Sequence, residues 1–413
     1  MGGEISVRGF KNSATPIIAA TILTGQTCIL ENIPRIGDVA KLLEILKGIG
    51  SKQKWLDGNT LEIQNDNLSP KNLDQDLVGQ IRSSILLIGP MLARFGEVRF
   101  AVPGGCKIGS RPIDTHLEAF RDAGAEIEFD EVRGIYSIRL KNLQNREVYL
   151  KELSVTATEN LLMLGCAHSL EIRLAAIEPH VFDLVRFLEK LGARIENFNG
   201  HSFRTAPPKK INSSEPSGSI QHKIINDPIE VGTFAILAAS TKSRIDIRGF
   251  EADHSEAMLR KLKDFGVAFE INGGVLAVDG LKSNLRAAAV KTFPYPGLPT
   301  DLQAPFGVLA TQAQGASLIF DTLYEGRLKY IDELKKMGAD AVILDSHRAL
   351  ISGPAVLHGA RIDSLDLRAG ATLVIAALIA RGQSELGNIE QIDRGYERLD
   401  ERLRELGADI RRV

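Results

Sequence analysis

One of the chain's three cysteines, Cys106, lies in "PGGCKIGSRPID", residues 103–114, behind Gly104 and Gly105 and close to Lys107 and Arg111. A thiol beside fixed positive charge ionises more readily, because the cation stabilises the thiolate. Such a cysteine serves as a nucleophile or a proton donor; a small side chain that merely sits in a glycine-rich loop reads the same way. Other polar residues recur at a different kind of place. Lys11-Asn12, Arg82-Ser83-Ser84, Thr158-Glu159-Asn160, Glu230, Asp301 and Asp366-Leu367-Arg368 each open a segment that is otherwise almost wholly apolar. A helix start offers unpaired N–H groups and a field that favours anions. Lys11, Arg82, Arg111, Arg327, Arg368 and Arg394 together compose a pocket for carboxylate or phosphate, both of which suit the guanidinium fork. Caps, ion pairs and solvated helix ends account for the same residues one at a time. Their recurrence at equivalent positions favours a site.

The segments that must position these groups form a repeat. Amphipathic stretches end in glycine and run into a short strand-like sequence at "LEILKGIG" (Gly50), "EAFRDAGAEIEF" (Gly124), "RFLEKLGARIE" (Gly192), "KLKDFGVAFE" (Gly266), "ELKKMGADAVI" (Gly338) and "ERLRELGADI" (Gly407), at spacings of 68 to 74 residues. Glycine supplies the left-handed residue that ends a helix cheaply, so each copy reads as helix, cap, strand. A second helix precedes each one, starting near Asn12, Arg82, Thr156, Glu230, Asp301 and Arg368. These second helices are apolar on nearly every face, the pattern of a buried central helix. The fold class is therefore α/β, with six units of about 70 residues. "PPKKINSSEPSGSIQHK", residues 207–223, has prolines and serines without hydrophobic period and divides the repeats three and three. Two similar lobes with a ligand cleft between them are expected.

Composition narrows the partners. A formal net charge of -2 argues against a general nucleic-acid binder, and no apolar run reaches the length of a membrane span. Three scattered cysteines make neither a disulfide framework nor a zinc site, and a reducing cytoplasm is expected. No phosphate-binding GxxxxGK[ST], no GxGxxG opening a helix after a strand and no HExxH occurs. Asp363 and Asp366 in "HGARIDSLDLR" fall on different strand faces or in a turn, so no metal is expected there.

At "KNSATPI", "PGGCKIGSRPIDTH", "PTDLQAPF", "YEGRLKYIDEL", "DLRAGATL" and "IDRGYERLDERL" the sequence resembles the UDP-N-acetylglucosamine 1-carboxyvinyltransferases, which are enolpyruvyl transferases. The motifs occur in the family's order from about residue 4 to the C-terminus. The resemblance implies a two-lobed inside-out α/β barrel, each lobe three repeats of a βαβαββ-type unit. Residues 9–226 would form the first lobe, with the cysteine loop at about 103–114; residues 1–8 and 227–413 would form the second. It also implies transfer of the enolpyruvyl group of phosphoenolpyruvate to the 3-hydroxyl of UDP-N-acetylglucosamine with release of phosphate, the first committed step of peptidoglycan synthesis. Cys106 matches the family's general acid for C3 of phosphoenolpyruvate. Lys11, Arg111 and Arg394 match contacts to phosphoenolpyruvate or phosphate, with Arg82, Arg327 and Arg368 at the same cleft. Asn12 and Asp301 match residues holding the sugar, Asp301 being placed to take the hydroxyl proton, and Asp366 matches a carboxylate that orients Lys11 or the reacting methyl group. Arg111, Pro112, Ile113 and Asp114 match the segment around uracil; Arg82, a phosphate-side arginine, and Leu323 belong with the UDP-sugar contacts, and Glu325 and His116 match further cleft residues. No cofactor, metal, nucleic acid or membrane is implied.

Departures from the family pattern gather on the nucleotide side: Gly37 for a lysine, Leu86 for a tryptophan, Glu152 and Thr156 for a lysine and a glycine, and Pro228 for an arginine. Arg35, Lys151 or Lys107 stand near enough in sequence to compensate. The alternatives they raise are a different acceptor sugar, or a non-catalytic UDP-sugar-binding regulatory homologue.

Overall fold

A helix with apolar side chains on every face has one stable place, the interior. In the computed structural model, which describes residues 1–104, 109, 112–141, 146–207 and 218–413, six helices come closest to that description and are buried over most of their length. They are Lys11–Ala20, Ile88–Phe95, Val155–Leu164, Pro228–Ser240, Gln303–Gln312 and Leu367–Ile379. In Pro228–Ser240 every residue from Ile229 to Ser240 is buried. The helices expected to begin at Arg82 and Asp301 instead open with 3-10 turns, Arg82–Leu87 and Thr300–Leu302. Pro90 and Pro305 have no N–H to give the carbonyl four residues back, and α geometry starts only two residues ahead of each.

Six amphipathic helices follow in alternation: Gly37–Gly48, Asp114–Asp122, Pro179–Lys190, Glu256–Asp264, Tyr330–Lys336 and Leu399–Glu405. Each ends at its expected glycine, and all six glycines have φ between +76° and +108°. In five of them the next N–H reaches back to a last-turn carbonyl, as in Ala339 to Leu334 at 3.0 Å, closing a Schellman cap.

Among the described residues the chain divides into two units, one of residues 1–8, 109 and 226–413, the other of residues 9–104 and 112–225. In the first of these the three buried helices contact one another pairwise; in the second, Arg82–Phe95 contacts both of the others. Small sheets cover them. The third repeat carries the full βαβαββ order: Leu170–Arg173 pairs parallel with Arg146–Tyr149 and antiparallel with Ser202–Ala206, which pairs with Arg194–Phe198. The first repeat borrows its parallel strand from Ile220–Lys223, which lies beside Thr27–Glu31. The fourth borrows Gly2–Ser6, which lies beside Arg244–Arg248 with Ile5 opposite Ile247. Two repeats are short of strands. Glu97–Ala101 has no parallel partner among the described residues. The strand expected after Gly407 does not form. In the other repeats that strand is paired with the hairpin strand following it, and residues 408–413 have none.

The N-terminal strand is also held electrostatically. Arg402 grips the buried Glu230 with both ends of its fork, at 2.7 and 3.0 Å, and donates to the Ser6 carbonyl at 2.8 Å. The Arg8 N–H donates to the same carboxylate at 2.8 Å. A buried carboxylate that loses its cation keeps its desolvation cost without the compensating attraction. Arg402→Ala is therefore expected to lower unfolding free energy by about 3–5 kcal/mol. Urea denaturation measures it; an unchanged midpoint would mean that the pair does not hold the strand.

Candidate active site

Three buried helix starts in the unit of residues 226–413 carry a carboxylate each. Asp227 caps Pro228–Ser240, its side chain accepting from the N–H groups of Ile229 and Glu230. Asp366 caps Leu367–Ile379 in the same way, accepting from Arg368 and Ala369. Asp301 sits in the turn that leads into Gln303–Gln312. Two arginines bind the three together. Arg327 lies 2.6 Å from Asp301 and 3.8 Å from Asp366, and Arg368 lies 3.3 Å from Asp301 and 3.5 Å from Asp227. Asp301 keeps 21% of its side chain exposed, against 2% for Arg368 and 4% for Asp227. Of the three carboxylates Asp301 is the most exposed, Asp366 keeping 9%.

The electrostatics follow from burial and pairing. Burial alone would lower the pKa of Arg327, but Asp301, Asp366 and Asp321 more than offset it and the pKa rises. Arg368 is raised too, with Tyr396, Asp227 and Asp301 overcoming its burial. Asp227 moves the other way for an acid, up to about 6, because burial outweighs the attraction of Arg368 and Glu230 adds repulsion. Beneath Arg368 the Tyr396 hydroxyl lies 2.9 Å from that of Thr233. Arg394 donates to the Gln391 side chain at 3.1 Å, Leu323 is exposed, and Glu325 lies in the turn before Arg327–Lys329.

In the unit of residues 9–225 the pairings differ. The Lys11 ammonium is 2.9 Å from the buried Asp38, and Asn12 is the next residue on the same helix, half-buried. Arg82 donates to the Pro112 carbonyl at 3.0 Å, which joins two of the expected nucleotide-side positions. Ile113 precedes Asp114–Asp122, whose first residue is Asp114. The nucleotide-side departures have local partners: Thr115 donates to Glu152 at 2.8 Å, and His116 Nε2 lies 2.8 Å from the Thr156 hydroxyl. Cys106, Lys107 and Arg111 lie outside the described residues. Cys28 and Cys166 are buried, and burial pushes both thiols up to about 12.

Some polar helix-start residues serve packing. Thr158 accepts from the Ala176 N–H and donates to the Ser154 carbonyl; Asn160 bonds Gly89, Ile85 and Thr156; Ser84 bonds Val78 and Ile81. Asp38, Asp227 and Tyr396 are participants that the sequence alone did not single out. Asp-Pro directly before an apolar helix was the legible sign of Asp227. Among the described residues no cluster of histidine, cysteine and carboxylate side chains is arranged to hold a metal, and no helix is long and apolar enough to cross a membrane.

Residues 1–403 match the family model described as EPSP synthase (3-phosphoshikimate 1-carboxyvinyltransferase). The UDP-N-acetylglucosamine 1-carboxyvinyltransferase 1 of Carboxydothermus hydrogenoformans is 44% identical over 413 residues, 100% of this chain and 96% of the relative. The chain belongs to the UDP-N-acetylglucosamine 1-carboxyvinyltransferase family. A member from Halothermothrix orenii is 39% identical, covering 100% of the chain and 97% of the relative. Among solved structures, the enolpyruvyl transferase NikO from Streptomyces tendae superposes with a TM-score of 0.88 at 25% identity, covering 100% of this chain and 96% of that one. EPSP synthase from Acinetobacter baumannii gives 0.71 at 16% identity over 98% and 95%, a likeness of fold alone. The family's two-lobed architecture of repeated βαβαββ-like units is the fold found here, as the sequence implied.

Asp227 provides a test of the electrostatics. Its folded pKa is raised from 3.8 to about 6, so its contribution to stability is complete below the unfolded value and is lost as pH rises through about 6. Between about pH 5 and about pH 8 the wild type should lose on the order of 1 kcal/mol relative to Asp227→Asn. Urea denaturation of both proteins at the two pH values measures the difference. Parallel pH dependences would show that Asp227 is not desolvated as described.

Proposed function

We propose that the protein transfers the enolpyruvyl group of phosphoenolpyruvate to the 3-hydroxyl of UDP-N-acetylglucosamine, releasing phosphate, in the cytoplasm and at the start of peptidoglycan synthesis. The observation that carries the reading is Asp301, partly exposed, held by the buried Arg368 and the partly buried Arg327, in a chain aligned end to end with family members. Addition needs the sugar oxygen to attack C2 of phosphoenolpyruvate while a proton reaches C3. Elimination takes a proton back from the new methyl group as the C2–O bond to phosphate breaks. Asp301 accepts the hydroxyl proton, and Cys106 delivers the proton to C3. Asp366 acts beside Asp301 through Arg327, which it shares.

Charge develops on phosphate and carboxylate during both steps, and fixed cations stabilise it best where water is excluded. Lys11, Arg111, Arg327, Arg368 and Arg394 take that role on the donor side. Asn12, Arg82, Pro112, Ile113, Asp114 and Leu323 take the sugar nucleotide, with Arg82 and Pro112 already joined by a hydrogen bond. The bonds of Glu152 to Thr115 and of Thr156 to His116 support a second reading, in which the acceptor differs from UDP-N-acetylglucosamine while the donor chemistry is kept.

Phosphate release should require both phosphoenolpyruvate and a UDP-sugar, and a screen of UDP-sugars identifies the acceptor. A wild type that binds the nucleotide but releases no phosphate with any acceptor would make the protein a binding homologue. Asp301→Asn should lower kcat by about 10²–10⁴-fold, the range for loss of a general base. Cys106→Ser should lose most turnover; unchanged turnover from about pH 6 to about pH 9 would remove the thiol from the reaction. An epoxide or iodoacetamide should consume a single thiol in the native protein, at Cys106. Cys28 and Cys166 should react only after unfolding, because their buried thiols stay protonated. Peptide mapping of the alkylated protein decides between them.

A further inference from the structure

The first turn of Lys11–Ala20 is weakly held by its own sequence. Its N-cap is Phe10, which offers no side-chain cap, and Pro16 lacks the N–H that would bond the Asn12 carbonyl. What fixes this turn lies on one face of Pro179–Lys190. His180, Asp183 and Phe187 stand at successive turns of that face. The His180 ring meets Phe10 edge-on at 5.1 Å, and Phe187 meets His222 at 5.5 Å. Between them Asp183, buried, accepts from the hydroxyl of the fully buried Ser13, lies 3.1 Å from His222 Nε2, and accepts from the Ile225 N–H at 3.2 Å. The ring of bonds then closes: the Phe10 N–H donates to the Ile225 carbonyl at 2.8 Å, and the Ser13 N–H to the Phe10 carbonyl at 3.0 Å. Burial pulls the Asp183 carboxyl up, but hydrogen bonds from His222 and Ser13 overcome it and hold it below the usual carboxylate range.

We propose that Asp183 is a positioning residue for the enolpyruvyl donor, acting through Ser13 and Ile225 to fix the helix turn that presents Lys11. The inference rests on the proposed function, since it takes Lys11 as the ammonium that meets phosphoenolpyruvate. Lys11 and Ser13 are two residues apart on one turn, so a change in how Ser13 is held moves the ammonium rather than removing it. Its signature is a raised KM for phosphoenolpyruvate with the KM for the UDP-sugar little changed. A role in stability alone would move the melting temperature and leave that ratio untouched.

The test is a double-mutant cycle of Ser13→Ala and Asp183→Asn on the full chain, with KM and kcat measured for both substrates. Ser13→Ala, the milder change, should raise the KM for phosphoenolpyruvate about tenfold and that for the UDP-sugar less than about twofold. The double variant should match Asp183→Asn within about twofold, because both changes cut one connection. Arg186→Gln removes the half-exposed partner 3.1 Å from Asp183 and should leave both KM values unchanged. Multiplying effects, or a Ser13→Ala variant with unchanged KM for phosphoenolpyruvate, would overturn the assignment. Wild-type turnover is read in the same assay. If the wild type turns over and Ser13→Ala behaves as wild type, this inference fails alone; if the wild type is inactive, the proposed function fails.

Discussion

Six helices that are apolar on nearly every face impose the constraint on which the remaining structure depends. Covering Pro228–Ser240 or Val155–Leu164 on all sides leaves only the helix ends for contact with water or a solute. A helix end is also where backbone groups lack internal partners, so N–H groups accumulate there and must be satisfied. Burial of the helix body and chemistry at its N-terminus are then two results of one packing choice. The amphipathic helices face a milder demand. Glu256–Asp264 buries little beyond Met258 and Leu262, and its other face stays in water.

Charge at these ends obeys a second constraint. An arginine as buried as Arg368 is tolerable only if carboxylates repay its lost hydration, and Asp227 and Asp301 do so from two other helix starts. The pairing links three repeats through side chains rather than through the backbone. It also leaves Asp301 oriented by two guanidinium groups without being sealed from solvent. On the proposed reading, an orientation set before substrate arrives costs no reorganisation during proton transfer.

Local features were legible in the sequence where one residue type has one physical meaning. The six capping glycines are such a case: glycine takes the left-handed conformation without a steric penalty, and all six have positive φ at the end of a helix. The wholly apolar helices were legible for the same reason. Their first turns were less so, because Pro90 and Pro305 decide locally where α geometry starts, and apolarity carries no record of it. The missing strand after Gly407 depends on the hairpin strand that follows it in the other repeats, and the repeat pattern around the glycine carries no record of that strand. Of the site, Arg327, Arg368, Asp301 and Asp366 were named from sequence and stand together in one unit. The pairings of Asp38 and Asp227 are not legible in the sequence, because the cations they face, Lys11 and Arg368, lie 27 and 141 residues away; only the capping role of Asp227 has a local sign, the Asp-Pro step.

The repeats share a backbone plan but not an end-group chemistry, and the difference has a direction. Asp227 and Asp366 spend carboxylate oxygens on the N–H groups of their own helices, which neutralises the positive end and closes it to an outside anion. Phe10 caps Lys11–Ala20 without a side-chain acceptor, and a lysine follows at the first helical position. There the helix field and the ammonium act in the same sense, offset by Asp38 beside them. One scaffold therefore yields a helix end that attracts negative charge and others that supply it. On the proposed reading the first kind of end meets the phosphorylated donor, while Asp301, whose carboxylate caps no helix, stays available for the hydroxyl proton.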